Sequence, residues 1–233
     1  MDIELAVFDM AGTTVKDADG VNGCFRAVLA DAGLEVSAAA VNAVMGLPKP
    51  EAIRRLIDQS ALRDRLAGKV EAIYRAFVAR MIRFYKTDPV VSEVPGTSET
   101  FAVFKEAGIR VALNTGFGRD IAQVIIDRLG WEKNHLIDAS VTSDEVAHGR
   151  PQPDMIENLK IRLRVSDRRK IAKIGDTPVD LAEGYNAGCG WLIGVTSGTH
   201  TRAQLAMCPH THLITSVAEL PEVLGIGPRR GRE

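Results

Sequence analysis

The sequence predicts an α/β fold, a doubly wound parallel sheet with a block of helices inserted after its first strand. An apolar run over residues 3–8 has the length of a buried strand and ends near a Gly-containing turn. Residues 21–86 are rich in Ala, Leu, Arg and Glu, with apolar positions at helical spacing. Beyond residue 109, short apolar runs alternate with amphipathic stretches, a pattern typical of parallel strands joined by helices.

Length and composition restrict the class of protein. The 233 residues suffice for one α/β domain with a modest insertion, and 45% hydrophobic and 25% charged residues are ordinary for a globular chain. A net charge of −1 gives no reason to expect a nucleic acid or a membrane as partner. No apolar stretch approaches membrane-spanning length, and the three scattered cysteines form no disulfide framework. We therefore expect a cytoplasmic protein.

The first half of the chain divides into one strand and the helical block. The strand over residues 3–8 ends at Asp9. Within the block, a helix over residues 51–57 begins directly after Pro50, a favourable first-turn position, and a long helix over residues 62–85 closes it. Breaks in the helical pattern are expected at Gly33, at residues 46–50 and at residues 58–61.

The second half predicts the rest of the sheet. Strands are expected over residues 109–113, 139–142, 170–174, 191–195 and 213–215, with helices over residues 119–129, 153–163 and 179–187. Linkers would lie at residues 16–20 and 88–96. The predicted core domain therefore covers residues 1–18 and 90–233, the inserted helical cap domain covers residues 19–89, and residues 227–233 form a tail that we expect to fray.

Four apolar runs stop at polar residues followed by a turn, and the candidate residues are Asp9, Thr115, Asp176 and Arg150, the last lying just beyond the third short strand. The carboxyl ends of strands in a doubly wound sheet meet at one crevice. Two acids there could hold a divalent cation, a hydroxyl and a guanidinium could bind phosphoryl oxygens, and one acid could attack. Asp180, one turn into the next helix, could support the metal. Taken singly, Asp9 could instead cap a turn, Arg150 could be a solvated loop residue and Asp180 a first-turn acid.

The order Asp9, Thr115, Arg150 and Asp176-x-x-x-Asp180 resembles the haloacid dehalogenase superfamily of phosphoryl-transfer hydrolases. The resemblance covers essentially the whole chain, and it implies a Rossmann-like core with a cap inserted after the first strand. It also implies that Asp9 is the nucleophile and that Thr115 and the Gly116 turn bind the phosphoryl group. Mg²⁺ would be held by Asp9, the backbone carbonyl of Ala11 and Asp176, with Asp180 in support.

Three features are similar to the phosphonoacetaldehyde hydrolase, or phosphonatase, branch of this superfamily. Ala11 stands where phosphatases carry a second Asp, and Arg150 stands where most members carry Lys. The cap contains Met45-Gly46-Leu47-Pro48-Lys49, similar to a Met-Gly-Leu-x-Lys motif. The substrate-binding residues implied by the resemblance are Ala11, Gly12, Met45, Gly46, Gly116 and Phe117.

The chemistry of these departures is consistent. A phosphatase uses the second Asp to protonate the departing oxygen. Ala11 has no proton to give, so ester cleavage should be slower by roughly 10² to 10⁴ if nothing replaces the acid. Cleavage of a carbon–phosphorus bond instead needs an electron sink, which a lysine imine supplies. The resemblance places that lysine at Lys49. The alternative is a solvated surface lysine at the start of a helix, which is an electrostatically poor place for a cation. The same position would lower the pKa of the lysine and favour the neutral amine that imine formation needs.

Other positions differ from the phosphonatase pattern. Ala30 replaces a histidine that assists imine formation, Phe117 replaces a tyrosine, and Pro48 replaces an aliphatic residue and stiffens its loop. His148 could line the entrance or lie on the surface. The chain therefore resembles a phosphonatase-like sister group.

We expect a Mg²⁺-dependent hydrolase of a small phosphonate aldehyde, acting through an aspartyl-phosphate on Asp9 and an imine on Lys49. The alternative is a phosphomonoester hydrolase of a small metabolite, in which a cap residue or water replaces the acid. A binding or regulatory protein on a degenerate scaffold is a third reading, against which the intact set of strand-end residues argues. The expected partner is a small phosphorylated or phosphonate substrate, and the resemblance implies a homodimer formed through the cap.

Overall fold

The computed structural model describes residues 3–16 and 18–227. Its six strands are β1 (Leu5–Phe8), β2 (Arg110–Thr115), β3 (Ala139–Thr142), β4 (Ile171–Gly175), β5 (Trp191–Val195) and β6 (His212–Ile214). They form one sheet in the order β3-β2-β1-β4-β5-β6, and every neighbouring pair is parallel. Each strand overlaps a predicted apolar run, so the predicted parallel α/β sheet is confirmed.

Eleven α-helices are assigned in the described part of the chain: α1 (Gly20–Asp31), α2 (Ala38–Asn42), α3 (Lys49–Asp58), α4 (Arg63–Leu66), α5 (Val70–Thr87), α6 (Thr97–Glu106), α7 (Arg119–Leu129), α8 (Asp154–Arg162), α9 (Pro178–Asn186), α10 (Arg202–Leu205) and α11 (Leu220–Val223). On one face of the sheet, Phe101 and Phe104 of α6 pack their rings against Phe8. On the other face, residues of α8 cover Leu5 and Val7. Helices therefore cover both faces, as a doubly wound sheet requires.

Helices α1 to α5 lie between β1 and α6, and we call them the helical insertion. Its longest helix, α5, buries one stripe of large side chains at a spacing of four residues: Ile73, Phe77, Met81 and Tyr85. The rings of Phe77 and Phe25 lie 4.5 Å apart between centroids and join α5 to α1. Helix α5 also packs against α7. This contact connects the insertion to the strands and helices α6 to α11, which together we call the sheet region. The boundaries of a core and a cap domain stay a prediction.

Two local predictions were wrong. The single helix expected over residues 62–85 is interrupted, because α4 ends at Leu66 and a 3-10 turn over Ala67–Lys69 precedes α5. Gly68 lies in that turn, and glycine costs about 1 kcal/mol in a helix interior. Helix α6 was missed altogether.

The predicted tail falls almost entirely on residues 228–233, outside the described residues. Among the described helices, none is both long and apolar enough to cross a membrane.

Candidate active site

The site lies where the order of the strands reverses. From β1 the chain crosses to β2 and β3 on one side, and it later returns to β4 on the other side of β1. Phe8 is in register with Leu113 of β2 and with Ile174 of β4, so the residues that follow these strands meet at one edge. Open α/β sheets bind their ligands at this switch point. Asp9 and Asp176 lie here, and both are buried.

Three carboxylates form an acidic centre. Asp9, Asp176 and Asp180 each offer one oxygen, and these oxygens all lie within 4.8 Å of one another. The Asp176 carboxylate accepts hydrogen bonds from the Thr13 hydroxyl at 3.0 Å and from the Thr199 backbone N–H at 2.7 Å. The three predicted metal-ligating acids are therefore brought together, and Asp176 is held in a fixed orientation.

Arg150 is locked among these acids. Its Nη1 lies 2.7 Å from Oδ1 of Asp9 and 2.9 Å from Oδ1 of Asp180. Its Nε donates to Oε2 of Glu183 at 2.9 Å. Its Nη2 donates to the backbone and side-chain oxygens of Asn114 at 2.7 Å and 2.6 Å. The side chain is only 1% exposed, so the alternative of a solvated loop arginine is wrong.

Behind Arg150 lies a layer of residues that the sequence analysis missed. Nζ of Lys173, on β4, donates to Oδ1 of Asn114 at 2.7 Å and lies 2.8 Å from Oδ1 of Asp180. Nδ2 of Asn114, on β2, donates to both carboxylate oxygens of Glu183 at 2.9 Å. A signal was available, because Lys173 and Asn114 interrupt apolar strands buried on both faces, where polar groups need partners.

The buried groups carry an excess of negative charge. Four acids and two bases are buried together on the sheet side of the site: Asp9, Asp176, Asp180, Glu183, Arg150 and Lys173. The buried Lys49 stands on the helical insertion and is counted separately. When all six are ionised, four negative and two positive charges leave a net charge of −2. Burying an uncompensated charge is costly, so a group in this position responds by shifting its pKa or by binding a counter-ion.

The pKa values reflect this excess. Burial raises the pKa of Asp9, and the neighbouring Asp180 carboxylate adds to the shift. Burial also raises the pKa of Asp176 to about 7, with Asp9 and Asp180 as further causes. For Asp180, burial acts to raise the pKa, but Arg150 and Lys173 outweigh it and the pKa falls to about 2. Burial raises the pKa of Glu183 as well. Of the three acids in the acidic centre, Asp9 and Asp176 are therefore the two whose charged forms are disfavoured.

This centre fits a hard divalent cation. Carboxylate oxygens are the ligands that Mg²⁺ prefers, and two positive charges would cancel the excess. Asp9 and Asp176 are suited to bind it, since burial disfavours their charged forms and a cation would relieve that penalty. Both oxygens of Asp180 are already engaged: Oδ2 accepts a hydrogen bond from the Thr177 hydroxyl at 2.6 Å, and Oδ1 lies in ion pairs 2.9 Å from Arg150 and 2.8 Å from Lys173. Asp180 therefore suits a supporting role.

A small cavity of about 20 Å³ is formed jointly by the sheet region and the helical insertion. Of the predicted site residues, nine line it: Asp9, Ala11, Met45, Gly46, Lys49, Thr115, Gly116, Phe117 and Arg150. The Thr115 hydroxyl accepts a hydrogen bond from the Phe117 backbone N–H at 3.2 Å. Asp176, Asp180 and Gly12 do not line this cavity. Gly12 instead packs against Asp176, where an added Cβ would lie 2.5 Å from Oδ2.

Lys49 is the first residue of α3 and reaches into this cavity. The residue is 5% exposed, so the alternative of a solvated surface lysine is wrong. Its Nζ lies 4.8 Å from the ring centroid of Phe117 and 5.7 Å from that of Phe25, both within the range of a cation–π interaction. The amine therefore lies near two aromatic rings, on the side of the cavity formed by the helical insertion.

The helical insertion touches the sheet region closely at Gly46. This residue has φ +83°, a conformation that L side chains rarely adopt, and an added Cβ would lie 2.5 Å from the Thr177 hydroxyl oxygen. Met45 beside it is buried.

The His148 side chain is 73% exposed and pairs with Asp154. His148 is therefore a surface residue, as one of the two readings of the sequence held.

Comparisons with known proteins agree with this geometry. The pattern of the family described as haloacid dehalogenase-like hydrolase matches residues 3–188. A phosphonoacetaldehyde hydrolase of Bacillus cereus is 30% identical over 217 residues, covering 85% of this chain and 78% of the relative. A phosphonoacetaldehyde hydrolase of Hahella chejuensis is 30% identical over 205 residues, covering 84% of this chain and 68% of the relative.

Among solved structures, a phosphonoacetaldehyde hydrolase-like protein from Oleispira antarctica superimposes with a TM-score of 0.86. It is 25% identical in sequence, and the superposition covers 99% of this chain and 94% of the other. The similarity therefore extends over the helical insertion as well as the sheet.

Proposed function

Because the chain belongs to the haloacid dehalogenase-like hydrolase family, we propose that this hydrolase cleaves the carbon–phosphorus bond of a small phosphonate aldehyde, phosphonoacetaldehyde or a close analogue, with Mg²⁺. One observation carries the proposal: buried Lys49 and buried Asp9 line the same small cavity. An amine and a nucleophilic carboxylate on either side of one small substrate are what imine-assisted cleavage requires. The names of the relatives support the same substrate.

Mg²⁺ bound by Asp9, the backbone carbonyl of Ala11 and Asp176 would supply positive charge beside the oxygens of the phosphoryl group. The chain adds its own positive charge through Arg150, whose Nη1 lies 2.7 Å from Asp9. Because five contacts fix the guanidinium, it is preorganised and needs no rearrangement during the reaction. The Thr115 hydroxyl, which also lines the cavity, would orient the phosphoryl group.

The first covalent step takes place at Lys49. Its amine adds to the aldehyde carbon and water leaves, giving an imine that takes up a proton. The protonated imine attracts electrons from the neighbouring carbon. Burial of Lys49 beside two aromatic rings keeps bulk water from this group, which would otherwise return it to the aldehyde.

The second step takes place at Asp9. A carboxylate oxygen attacks phosphorus, the carbon–phosphorus bond breaks, and its electron pair moves through the carbon to the nitrogen, leaving an enamine on Lys49. The enamine takes up a proton at carbon, and water releases the aldehyde product and the free amine. A second water hydrolyses the aspartyl-phosphate to phosphate and restores Asp9. Because the leaving atom is carbon and not oxygen, the site needs no acid to protonate a leaving oxygen. The methyl side chain of Ala11 is consistent with this.

The proposal is tested with phosphonoacetaldehyde and Mg²⁺. Phosphate release is measured first, and borohydride is then added so that mass spectrometry can locate the alkylated lysine. We expect release of phosphate and alkylation at Lys49. Lys49→Arg keeps the positive charge but cannot form the imine, so this variant should lose both. Lys86→Arg, at an exposed lysine of the same helical insertion, is the matched control and should retain both.

Other outcomes separate the alternatives. Phosphate release from phosphomonoesters that survives Lys49→Arg, with no turnover of the phosphonate, would contradict the proposal and favour a phosphomonoester hydrolase. Turnover of neither substrate, with no phosphate group found on Asp9 after rapid quenching, would favour a binding or regulatory protein.

A further inference from the structure

The segment directly before Lys49 rests on two loops of the sheet region through very close contacts. A Cβ added to Gly116 would lie 2.6 Å from the carbonyl oxygen of Leu47, and one added to Gly149 would lie 2.4 Å from Cγ of Pro48. Carbon atoms that are not bonded prefer a separation of about 3.5 to 4.0 Å. Neither glycine could carry even a methyl group unless the segment moved away.

These contacts join residues that adjoin the reacting groups. Pro48 directly precedes Lys49, and Gly149 directly precedes Arg150. Pro48 is the N-cap residue of α3, and its ring fixes φ, here −52°. Pro50, at the second position of the helix, restricts the backbone on the other side of Lys49. The Lys49 backbone is therefore stiff, and a displacement of Pro48 would move the whole residue.

We propose that Pro48 and Gly149 form a positioning pair that sets how deeply the Lys49 amine enters the cavity. The inference rests on the proposed function, because depth matters only if the amine must reach the substrate. Misplacement of a reacting group by about 1 Å can reduce a rate by about 10². The cavity measures only about 20 Å³, so a small displacement of one side changes it substantially.

The effect of this pair should be confined to Lys49. Arg150 is held by Asp9, Asp180, Glu183 and Asn114, none of which belongs to the helical insertion. Moving Pro48 outward would therefore leave the acidic centre and its guanidinium in place. The pair would act on formation of the imine, and phosphate binding at the sheet would not depend on it.

The experiment uses Gly149→Ala, Pro48→Ala and the double variant. The backbone at Gly149 lies outside the left-handed region, so alanine is not excluded by φ, and the three atoms nearest to its Cβ all belong to the proline ring. Pro48→Ala removes Cγ, the atom in the closest contact. We expect Gly149→Ala to lower both phosphonate turnover and borohydride trapping at Lys49 by about 10². The double variant should return both quantities to the values of Pro48→Ala alone.

Two further measurements identify the cause. Acetylation of Lys49 by an amine-reactive ester, followed by mass spectrometry, should be faster in Gly149→Ala and should slow again in the double variant. Binding of inorganic phosphate with Mg²⁺, measured by calorimetry, should be unchanged in all three variants. Gly68→Ala is the matched control in the helical insertion, because its Cβ would meet no atom within 4 Å.

The outcomes are distinct. Trapping of Gly149→Ala at the wild-type rate, or a double variant as slow as Gly149→Ala, would overturn the positioning pair. Loss of phosphate binding in parallel with trapping would overturn it too, because the damage would then be general. If the wild type itself is neither active nor trapped, the proposed function fails. The acetylation rates still decide, in that case, whether the pair controls the position of Lys49.

Discussion

The negative charge around Asp176 should make the stability of the metal-free protein depend on pH. Burial, with Asp9 and Asp180 nearby, raises the pKa of Asp176 in the folded protein from its ordinary value of 3.8 to about 7. Between these two values the folded protein keeps a proton that the unfolded chain has released. The unfolded state then binds fewer protons, so the free energy of unfolding decreases as the pH rises through this interval.

The magnitude follows from the shift. Each pKa unit corresponds to about 1.4 kcal/mol, so the raised pKa costs on the order of 4 kcal/mol once Asp176 is fully ionised. About 2 kcal/mol of this falls between about pH 5 and about pH 7. In Asp176→Asn the group no longer titrates, and Asp9 loses a charged neighbour. We therefore expect this variant to lose far less stability than the wild type over the same interval.

Urea unfolding in the presence of a chelator measures this loss. The control is Asp167→Asn, since hydrogen bonds from Arg169 hold the pKa of this surface carboxyl at about 2, below the tested interval. This variant should show the wild-type slope. Added Mg²⁺ should stabilise the wild type more at about pH 8 than at about pH 5, because protons compete for the same oxygens. A wild-type stability that rises with pH, or equal losses in wild type and Asp176→Asn, would refute the explanation that ionisation of buried Asp176 destabilises the fold.

Three further predictions concern the groups around this centre. Arg150→Lys should lower the free energy of unfolding by about 3 to 5 kcal/mol in urea titrations, since one ammonium cannot make all the contacts and leaves Glu183 poorly compensated. Glu183→Ala should destabilise the protein similarly, whereas Glu183→Gln should retain most of the stability because it keeps an acceptor for Arg150. Ala11→Asp should raise the turnover of alkyl phosphates by up to about 10² to 10⁴, with a smaller gain for aryl phosphates, whose leaving groups need less protonation.

The sheet was predictable because its strands are short, apolar and separated by turns. The strands over residues 139–142 and 191–195 have the predicted limits, and the others differ by one or two residues. Their ends indicated the candidate site residues, since a polar residue that follows a buried strand lies at the edge of the sheet. Asp9 and Asp176 could therefore be paired although 167 positions separate them.

The helices were harder to delimit. Ala67, Gly68 and Lys69 continue a helical composition, yet they form a 3-10 turn, because packing decides between closely related helical states. Helix α6 begins at Thr97 after Gly96, within a stretch of Ser, Thr and Gly that indicates a linker. Its helical state is stabilised by burial of Phe101 and Phe104 against Phe8, a contact that local sequence does not reveal.

The burial of Arg150 and its partners could not be read from the order of motifs. In the sequence Arg150 stands in a Gly-Arg-Pro loop, and only the fold brings it against Glu183, 33 positions away. Lys173 was detectable in principle as a cation inside an apolar strand. Its partners were not, because each possible acid lies on a different element and the strand order decides which one it meets.

In the proposed reaction, the locked guanidinium means that help for the leaving group would have to come from the helical insertion. Arg150 is permanently charged and held by five contacts, so it can neither give up a proton nor follow a departing carbon. Ala11 has no ionisable group. Of the residues that line the cavity in the described part of the chain, Lys49 alone carries an amine that can bond to an aldehyde carbon. Under the proposed function, a site whose sheet side supplies charge, a nucleophile and the Thr115 hydroxyl would depend on the position of Lys49 for its choice of reaction.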